Sequence, residues 1–340
     1  MRESKSVIIG VSGTELTADE RAFYAEHQPW GFILFARNLK EENQIKDLNA
    51  ALRDSIGNPD APVFIDQEGG RVQRLRPPLA PNYPPASVLG DLYRRDRKAG
   101  LDAARLMSRL HAVDLRKFGF TADCLPVLDV PVPGSSSVIG NRAYGEDPRT
   151  VTEMGGRAAA EGLMEGGILP VMKHMPGHGR GFADSHHNLP VVDVPLVELK
   201  SHDFAPFKAL NDLPMAMTGH LVFTAIDPNR PATTSPIVIE DIIRGYIGFD
   251  GLLMSDDVSM NALSGDFHER TRAIFAGGCD MVLHCNGVMD EMKAVMAETP
   301  VLRGRALERA EAALACLAST IDEDEIAMRD AFANHLAAVA

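Results

Sequence analysis

The densest group of chemically active side chains in this 340-residue chain lies between Lys173 and His187. The six residues before it, 167–172, form an apolar run that predicts a buried strand, which would deliver Lys173 and His174 at its C-terminal end. The Pro176-Gly177 pair and the glycines that follow do not allow a regular helix or strand. Because titratable side chains are concentrated on such a flexible segment, we predict an active-site loop.

Within this loop, the triplet Asp184-Ser185-His186 is the best suited to proton transfer. In an extended segment, a spacing of two puts Asp184 and His186 on the same side, close enough for a hydrogen bond. An aspartate in that position selects one imidazole tautomer and raises its basicity, as general acid/base catalysis requires. Two other interpretations stay open. One is a solvated loop that happens to contain histidines, and the other is a Ser/His/Asp hydrolase, which the lack of a GxSxG motif disfavours.

A pair of carboxylates follows another short apolar run, in Ser255-Asp256-Asp257. Residues of these types before a helical pattern often serve as a helix N-cap, which is the ordinary role for a single aspartate. An N-cap needs only one of the three. Whichever aspartate points into the fold is therefore available as a nucleophile or as an electrostatic partner for a developing cation.

Five further polar residues lie near predicted strand ends or on long loops: Asp66, Arg74, Arg142, Lys173 and His174. Charged donors and acceptors of this kind hold hydroxyl-rich ligands, commonly in bidentate pairs. Taken singly, each arginine also fits a surface position. The neighbouring Gly69-Gly70 either brings the backbone close to a ligand or forms a turn.

Metal binding is the other chemistry that so many histidines suggest. His174 and His178 have the spacing of two ligands on one helix face, but Pro176-Gly177 between them prevents that helix. No cysteine accompanies them in the loop. We therefore predict a site without a metal ion and without a cofactor.

Eight short apolar runs, most of them separated by helical patterns, predict parallel βα units. They occupy residues 7–11, 31–35, 62–65, 120–128, 167–172, 214–218, 251–254 and 280–283. No GxGxxG motif follows the first run, which disfavours a dinucleotide-binding fold. Polar residues recur beyond the runs, and strand ends share one face of a (β/α)₈ barrel, so we predict an α/β fold with a single TIM-like barrel. The barrel is expected to span residues 1–300, with 301–340 as a C-terminal helical extension packed on it.

Composition and charge narrow the functional classes. An apolar content of 45% permits a full core, and a formal net charge of −13 argues against binding to nucleic acid or to an anionic membrane. The four cysteines include no CxxC pair, which is typical of reduced thiols in a cytosolic protein. The first apolar run is too short for a signal peptide or a membrane span. A cytoplasmic protein is expected, and no pattern indicates its oligomeric state.

Five segments carry a family resemblance when they are taken together. They are IDQEGGRVQRL at 65–75, LPVLDV at 125–130, IGNRAYGED at 139–147, KHMPGHGRGFADSH at 173–186 and GFDGLLMSDDVSM at 248–260. This ordered set strongly resembles the bacterial β-N-acetylglucosaminidases of glycoside hydrolase family 3. The resemblance implies a (β/α)₈ barrel and a retaining, two-step mechanism. It also implies that Asp256 is the nucleophile, that His186 is the general acid/base with Asp184 as its partner, and that the five polar residues bind the N-acetylglucosamine ring.

The substrate implied by the resemblance is a small carbohydrate from the cell wall. It is a terminal β-linked N-acetylglucosamine on a muropeptide, such as N-acetylglucosaminyl-anhydromuramoyl peptide in peptidoglycan recycling. Met175 stands where the family commonly has phenylalanine, and His187 directly follows the Asp–His pair. Neither is a matched catalytic position. If Met175 and His187 have an effect, we expect it to be on the motion of the loop or on the preference for leaving groups.

Three rival functions stay open. A histidine acid/base tolerates an approaching anion better than a carboxylate does, so phosphate could replace water and make the enzyme an N-acetylglucosaminide phosphorylase. A β-glucosidase of the same superfamily is disfavoured by the Asp–His loop and the Ser-Asp-Asp pattern. A non-catalytic sugar-binding barrel is disfavoured because the nucleophile and Asp–His positions are all occupied.

Overall fold

The computed structural model describes residues 3–181, 189–317 and 324–337. Eight parallel strands close into one barrel, in which each strand pairs with the next along the chain and the last pairs with the first. They are β1 (Lys5–Gly10), β2 (Pro29–Ile33), β3 (Val63–Ile65), β4 (Ala122–Asp123), β5 (Leu169–Met175), β6 (Met215–Thr218), β7 (Leu252–Asp257) and β8 (Met281–His284). The predicted α/β fold with a single TIM-like barrel is confirmed, and each predicted apolar run overlaps one of these strands.

Helices connect the strands and surround the barrel. They are α1 (Ala18–His27), α2 (Glu42–Ile56), α3 (Ala86–Arg95), α4 (Arg97–Lys117), α5 (Pro148–Val151), α6 (Glu161–Glu165), α7 (Leu196–Ser201), α8 (Ala205–Ala209), α9 (Phe267–Gly277), α10 (Met289–Glu298), α11 (Gly304–Ala315) and α12 (Glu325–Ala337). Two π-helical segments, Thr152–Ala160 and Val238–Ile247, complete the helical layer. Local sequence sets where several of these helices begin. In α1, for example, Thr17 and Glu20 form a capping box that satisfies free backbone N–H groups.

Side chains alternate between the inside and the outside of the barrel. In β3, Phe64 packs in the barrel interior, whereas its neighbours Val63 and Ile65 pack against the surrounding helices. All three are completely buried. Strands buried on both faces are apolar throughout, which is why the sequence has continuous apolar runs rather than a polar–apolar alternation.

Strands β5 and β7 extend three residues further than the apolar runs predicted, to Met175 and Asp257. After a local irregularity, pairing resumes with Met175 opposite Thr218 and with Asp257 opposite Leu283. The polar side chains at these two strand ends therefore project from the barrel itself. Such a frame holds side chains more rigidly than a loop does.

The last two helices pack against the rest of the fold at different places. Ala310 of α11 is buried with the barrel interior residues, and Arg309 Nη1 lies 2.9 Å from Asp280 Oδ1, just before β8. On α12, Arg329 Nη2 lies 2.6 Å from Asp114 Oδ1 of α4. The division of the chain at residue 300 stays a prediction. No helix in the described ranges is both long and apolar enough to cross a membrane.

Candidate active site

A cavity of about 330 Å³ lies at the C-terminal ends of the barrel strands. Six of the predicted site residues line it: Asp66, Arg74, Arg142, Lys173, His174 and Asp256. The other two, Asp184 and His186, lie outside the described residues, as does His187. The structure thus brings together every predicted site residue that it describes, in the position where barrel enzymes carry their active sites.

Three cations and two carboxylates form a largely buried ion cluster at one side of the cavity, and all of them except Glu68 line it. Lys173 Nζ lies 2.9 Å from Asp66 Oδ1 and 2.6 Å from Glu68 Oε1. Asp66 also accepts a hydrogen bond of 2.9 Å from Arg74, and Arg142 binds Glu68 through two nitrogens, each at 2.8 Å. Burial alone would raise the pKa of both carboxyls, but the neighbouring cations hold them below their ordinary values, and the pKa of Glu68 falls to about 2. Both carboxylates therefore stay ionised at neutral pH, and each charged group is held by another.

A short hairpin after β3 presents the two carboxylates of this cluster. Its strands, Gln67–Gly69 and Val72–Gln73, pair in antiparallel fashion. The glycines at 69 and 70 have φ values of 99° and 58°, so they form the turn in a conformation that favours glycine. Because Asp66 and Glu68 are two residues apart in extended backbone, their side chains point the same way.

Asp129 orients His174 at the end of β5. Its Oδ2 lies 2.6 Å from His174 Nδ1, and its Oδ1 accepts the backbone N–H groups of His174 at 3.2 Å and His178 at 2.6 Å. Burial would raise the pKa of Asp129, but His174 and the hydrogen bonds hold it below the ordinary value. An ionised Asp129 favours the tautomer of His174 that carries its proton on Nδ1, which leaves Nε2 to interact with a ligand.

The two adjacent aspartates of β7 have different surroundings. Asp257 accepts backbone N–H groups from Ser259 at 3.1 Å and from Cys285 at 3.2 Å, and it accepts the Ser259 hydroxyl at 2.5 Å. Asp256 accepts one backbone hydrogen bond, of 2.8 Å, from Asp257, and no other described group hydrogen-bonds to its carboxylate. Burial would raise the pKa of Asp256, but His220 and His174 hold it below the ordinary value. Asp256 is therefore an ionised carboxylate that remains available to a ligand in the cavity.

His178 also lines the cavity, at the start of the predicted catalytic loop. Its side chain is buried, and its ring centroid lies 5.7 Å from that of His174. Neither ring nitrogen of His178 has a hydrogen-bond partner among the described residues. Burial lowers the pKa of His178 to about 4, so the imidazole is neutral at physiological pH.

Sequence reasoning gave no substrate-binding or positioning role to three residues of this site: Glu68, Asp129 and His178. Glu68 lies two residues beyond Asp66, so an extended hairpin could have indicated a second carboxylate facing the same way. His178 was considered only as a metal ligand. No group of three or more His, Cys, Asp or Glu side chains within the described part of the chain is arranged to hold a metal ion. The absence of a metal site stays a prediction.

The arrangement is suited to a neutral, hydroxyl-rich ligand. The ion cluster offers charged hydrogen-bond donors and acceptors in rigid positions, which can bind hydroxyl groups with little reorganisation. Asp256 offers a free, half-buried negative charge that can attack an electrophilic carbon or stabilise a developing positive charge.

Known proteins resemble this chain in both sequence and fold. Residues 5–313 match the family model described as the glycosyl hydrolase family 3 N-terminal domain. A β-hexosaminidase of Bordetella parapertussis is 40% identical over 284 residues, which cover 82% of this chain and 79% of that protein. The crystal structure of NagZ from Neisseria gonorrhoeae in complex with N-trifluoroacetyl-D-glucosamine superposes with a TM-score of 0.85 at 30% identity, covering 99% and 97% of the two chains. A glycoside hydrolase family 3 β-N-acetylglucosaminidase from Paenibacillus sp. has a TM-score of 0.78 at 31% identity, covering 98% of this chain and 60% of the other.

Proposed function

We propose a specific reaction for this chain, which belongs to glycosyl hydrolase family 3 and is a β-hexosaminidase. It is an exo-acting, retaining enzyme that releases terminal β-linked N-acetylglucosamine from peptidoglycan fragments. In the first step, Asp256 attacks the anomeric carbon while His186 protonates the departing oxygen. In the second step, His186 takes a proton from water, which hydrolyses the covalent glycosyl-enzyme. Asp184 orients His186 and raises its basicity in both steps.

The contrast between the two aspartates of β7 is the observation that carries this proposal. A carboxylate nucleophile must be ionised and must have an oxygen free to reach the anomeric carbon. Asp256 meets both conditions, because its pKa is held below the ordinary value and the one hydrogen bond that the described residues give it, of 2.8 Å, comes from the backbone. The carboxylate of Asp257 is instead committed to Ser259 and to the backbone of Cys285.

The described cavity wall also supports a proton donor that is not a carboxyl group. Retaining glycosidases more often use a second carboxyl group as the acid. Of the remaining carboxylates on the wall, Asp66 is kept ionised by Lys173 and Arg74, and Asp257 is engaged as a hydrogen-bond acceptor. A histidine can supply the proton instead, and the family resemblance assigns that role to His186. In its neutral form it can then activate water without adding a negative charge beside the intermediate.

His174 is the alternative proton donor, since it also has an aspartate partner and lines the same cavity. We assign it to sugar binding, because the rigid strand β5 and Asp129 hold it beside the ion cluster. The acid/base role then falls to His186, as the resemblance to the family implies. Substitutions of His174 and of His186, compared by how each changes the dependence of the rate on the leaving group, would separate these roles.

The cavity size and the comparisons support the proposed specificity. A volume of about 330 Å³ is at the lower end of ligand pockets and suits one sugar unit, as an exo-acting enzyme requires. The related Neisseria protein was crystallised with N-trifluoroacetyl-D-glucosamine. That relative supports N-acetylglucosamine, rather than glucose, as the sugar that occupies the cavity.

We place the reaction in the cytoplasm, within the recycling of cell-wall fragments. All four cysteines are free thiols, three of them buried, which is typical of proteins in a reducing compartment. Detection of the protein in the cytoplasmic fraction, separated from periplasmic and membrane markers, would support this location. Its recovery outside the cytoplasm would contradict it.

The test uses the purified full chain with nitrophenyl β-N-acetylglucosaminide and β-glucoside, with and without phosphate, in a metal-chelating buffer. We expect the N-acetyl sugar alone to be cleaved, with free N-acetylglucosamine released first as the β-anomer in a proton NMR time course. Release of a sugar 1-phosphate would establish the phosphorylase, and preferred cleavage of the glucoside would establish a β-glucosidase. Initial release of the α-anomer would exclude the covalent intermediate. Cleavage of N-acetylglucosaminyl-anhydromuramoyl peptide would then test the natural substrate class.

A further inference from the structure

The part of β7 that carries the proposed nucleophile is not held by regular strand pairing. Pairing with β6 ends at Met254, opposite Met217, and pairing with β8 is irregular between Met254 and Asp257. Asp256 lies within this irregular stretch, and its carboxylate accepts a hydrogen bond of 2.8 Å from the backbone N–H of Asp257. The direction of the Asp256 carboxylate therefore depends on the groups that fix the backbone of Asp257.

The side chain of His220 fixes the backbone of Asp257 from the side of β6. His220 lies two residues beyond the end of β6, is completely buried and is not among the described residues that line the cavity. Its Nε2 lies 3.0 Å from the carbonyl oxygen of Asp257. Because a carbonyl oxygen only accepts, Nε2 carries a proton and donates this hydrogen bond. Beyond the end of β6, a side chain thus supplies the donor that a paired strand would otherwise supply.

Thr233 anchors the ring of His220 through its other nitrogen. The hydroxyl oxygen of Thr233 lies 2.8 Å from His220 Nδ1 and 2.8 Å from the hydroxyl oxygen of Thr218, and all three side chains are completely buried. A longer contact of 3.1 Å joins the Thr233 hydroxyl to the carbonyl oxygen of Gly219. Burial lowers the pKa of His220, which favours the neutral ring. A neutral ring with its proton on Nε2 has an acceptor at Nδ1, so Thr233 donates to it.

We propose that His220 is a positioning residue that aims the carboxylate of Asp256 at the anomeric carbon, and that the Thr233 hydroxyl anchors its ring. The inference rests on the proposed function, since it takes Asp256 as the nucleophile. His220 acts through the backbone of Asp257 rather than through the sugar. Misplacing a reacting group by about 1 Å can lower a rate on the order of 10²-fold. Loss of the anchor should therefore slow the attack by Asp256, while the ion cluster still binds the sugar.

The first experiment replaces Thr233 by valine, which keeps the shape of the side chain and removes its hydroxyl. We expect Thr233→Val to lower kcat/KM for nitrophenyl β-N-acetylglucosaminide about tenfold, the equivalent of about 1.4 kcal/mol. The inhibition constant of the product N-acetylglucosamine should not change, because the ion cluster is intact. Thr233→Ser retains the hydroxyl and should recover most of the activity. Unchanged kcat/KM in Thr233→Val, an equal loss in Thr233→Ser or a parallel rise of the inhibition constant would overturn the proposal.

Thr271 provides a matched control in the same chain. It is completely buried in α9, and its hydroxyl donates a hydrogen bond of 2.7 Å to the carbonyl oxygen of Phe267 in the same helix. None of the described residues that line the cavity belongs to α9. Thr271→Val should therefore leave kcat/KM unchanged. A loss as large as that of Thr233→Val would show that removal of any buried threonine hydroxyl has this effect, and it would overturn the proposal.

The second experiment observes the ring of His220 by nitrogen-15 NMR of the imidazole, with its signals assigned by their loss in His220→Gln. We expect a neutral ring that carries its proton on Nε2. A ring whose Nε2 lacks a proton could not donate to Asp257, and it would overturn the proposal. Wild-type hydrolysis tests the proposed function independently, because the inference is tested by the NMR spectrum and by ratios of the Thr233 variants to wild type.

Discussion

Replacement of Glu68 by glutamine tests whether the buried ion cluster is held together by charge. The side chain keeps its shape, but Lys173 and Arg142 lose their shared anionic partner, at 2.6 Å and 2.8 Å. A pKa of about 2 in the folded protein, against an ordinary 4.5, corresponds to about 3 kcal/mol of stabilisation by the ionised form. Removing one partner of a buried ion pair costs on the order of 3–5 kcal/mol. We therefore expect Glu68→Gln to lower the free energy of unfolding at pH 7 by about 3 kcal/mol, measured by urea denaturation.

The stability lost in Glu68→Gln is expected to depend on pH. Because the pKa of Glu68 is lower in the folded state, its contribution is fully present above the unfolded value of 4.5 and is lost as the pH falls through about 2. The difference between wild type and Glu68→Gln should thus shrink to about 1.5 kcal/mol at pH 3.

Glu153 is the matched control for this experiment. Its pKa also falls to about 2, but its partners Arg97 and Arg149 are mostly exposed, so solvent screens the interaction. Glu153→Gln should cost less than about 1 kcal/mol. Equal losses for the two variants, or a loss at Glu68 that does not depend on pH, would refute the reasoning from burial.

Three further substitutions test the roles assigned around the cavity. Asp256→Ala should lower kcat on the order of 10⁴-fold or more, because no glycosyl-enzyme can form. Near-normal turnover in stopped assays would reassign the nucleophile, with Asp257 as the next candidate. His186→Ala should slow cleavage roughly 10²–10⁴-fold for poor leaving groups and far less for nitrophenol, and an equal loss in both rate series would exclude the acid role. Asp129→Asn should lower kcat/KM about 10–100-fold, since a charged hydrogen bond that sets the tautomer of His174 is lost. Nitrogen-15 NMR of the imidazole checks this last prediction, and an unchanged tautomer with unchanged kinetics would contradict it.

Much of the barrel and part of the site could be predicted from local sequence. Strands buried on both faces require continuous apolar runs, and the polar residue that ends such a run marks the C-terminal rim of the barrel. Asp66, Lys173 and Asp256 could be recognised in this way. Strand ends were less predictable, because β5 and β7 continue through polar residues whose pairing depends on the neighbouring strands.

Local sequence gave no basis for choosing between Asp256 and Asp257, or for excluding a surface position for Arg142. The choice between the aspartates depends on Cys285, whose backbone N–H reaches Asp257 from the next strand of the closed barrel. Arg142 does not lie at the surface: its side chain is only 12% exposed and is paired with Glu68. Neither contact has a counterpart in the spacing of nearby residues.

The sequence by itself determined the order of the strands and the chemical types available at their ends. Only the tertiary structure decided which charges meet. Lys173 reaches Asp66 across 107 positions of the chain, and Arg142 reaches Glu68 across 74. Apolar periodicity reports whether a residue is buried, but the partner of a buried charge is set by the closure of the barrel, which places distant strand ends side by side.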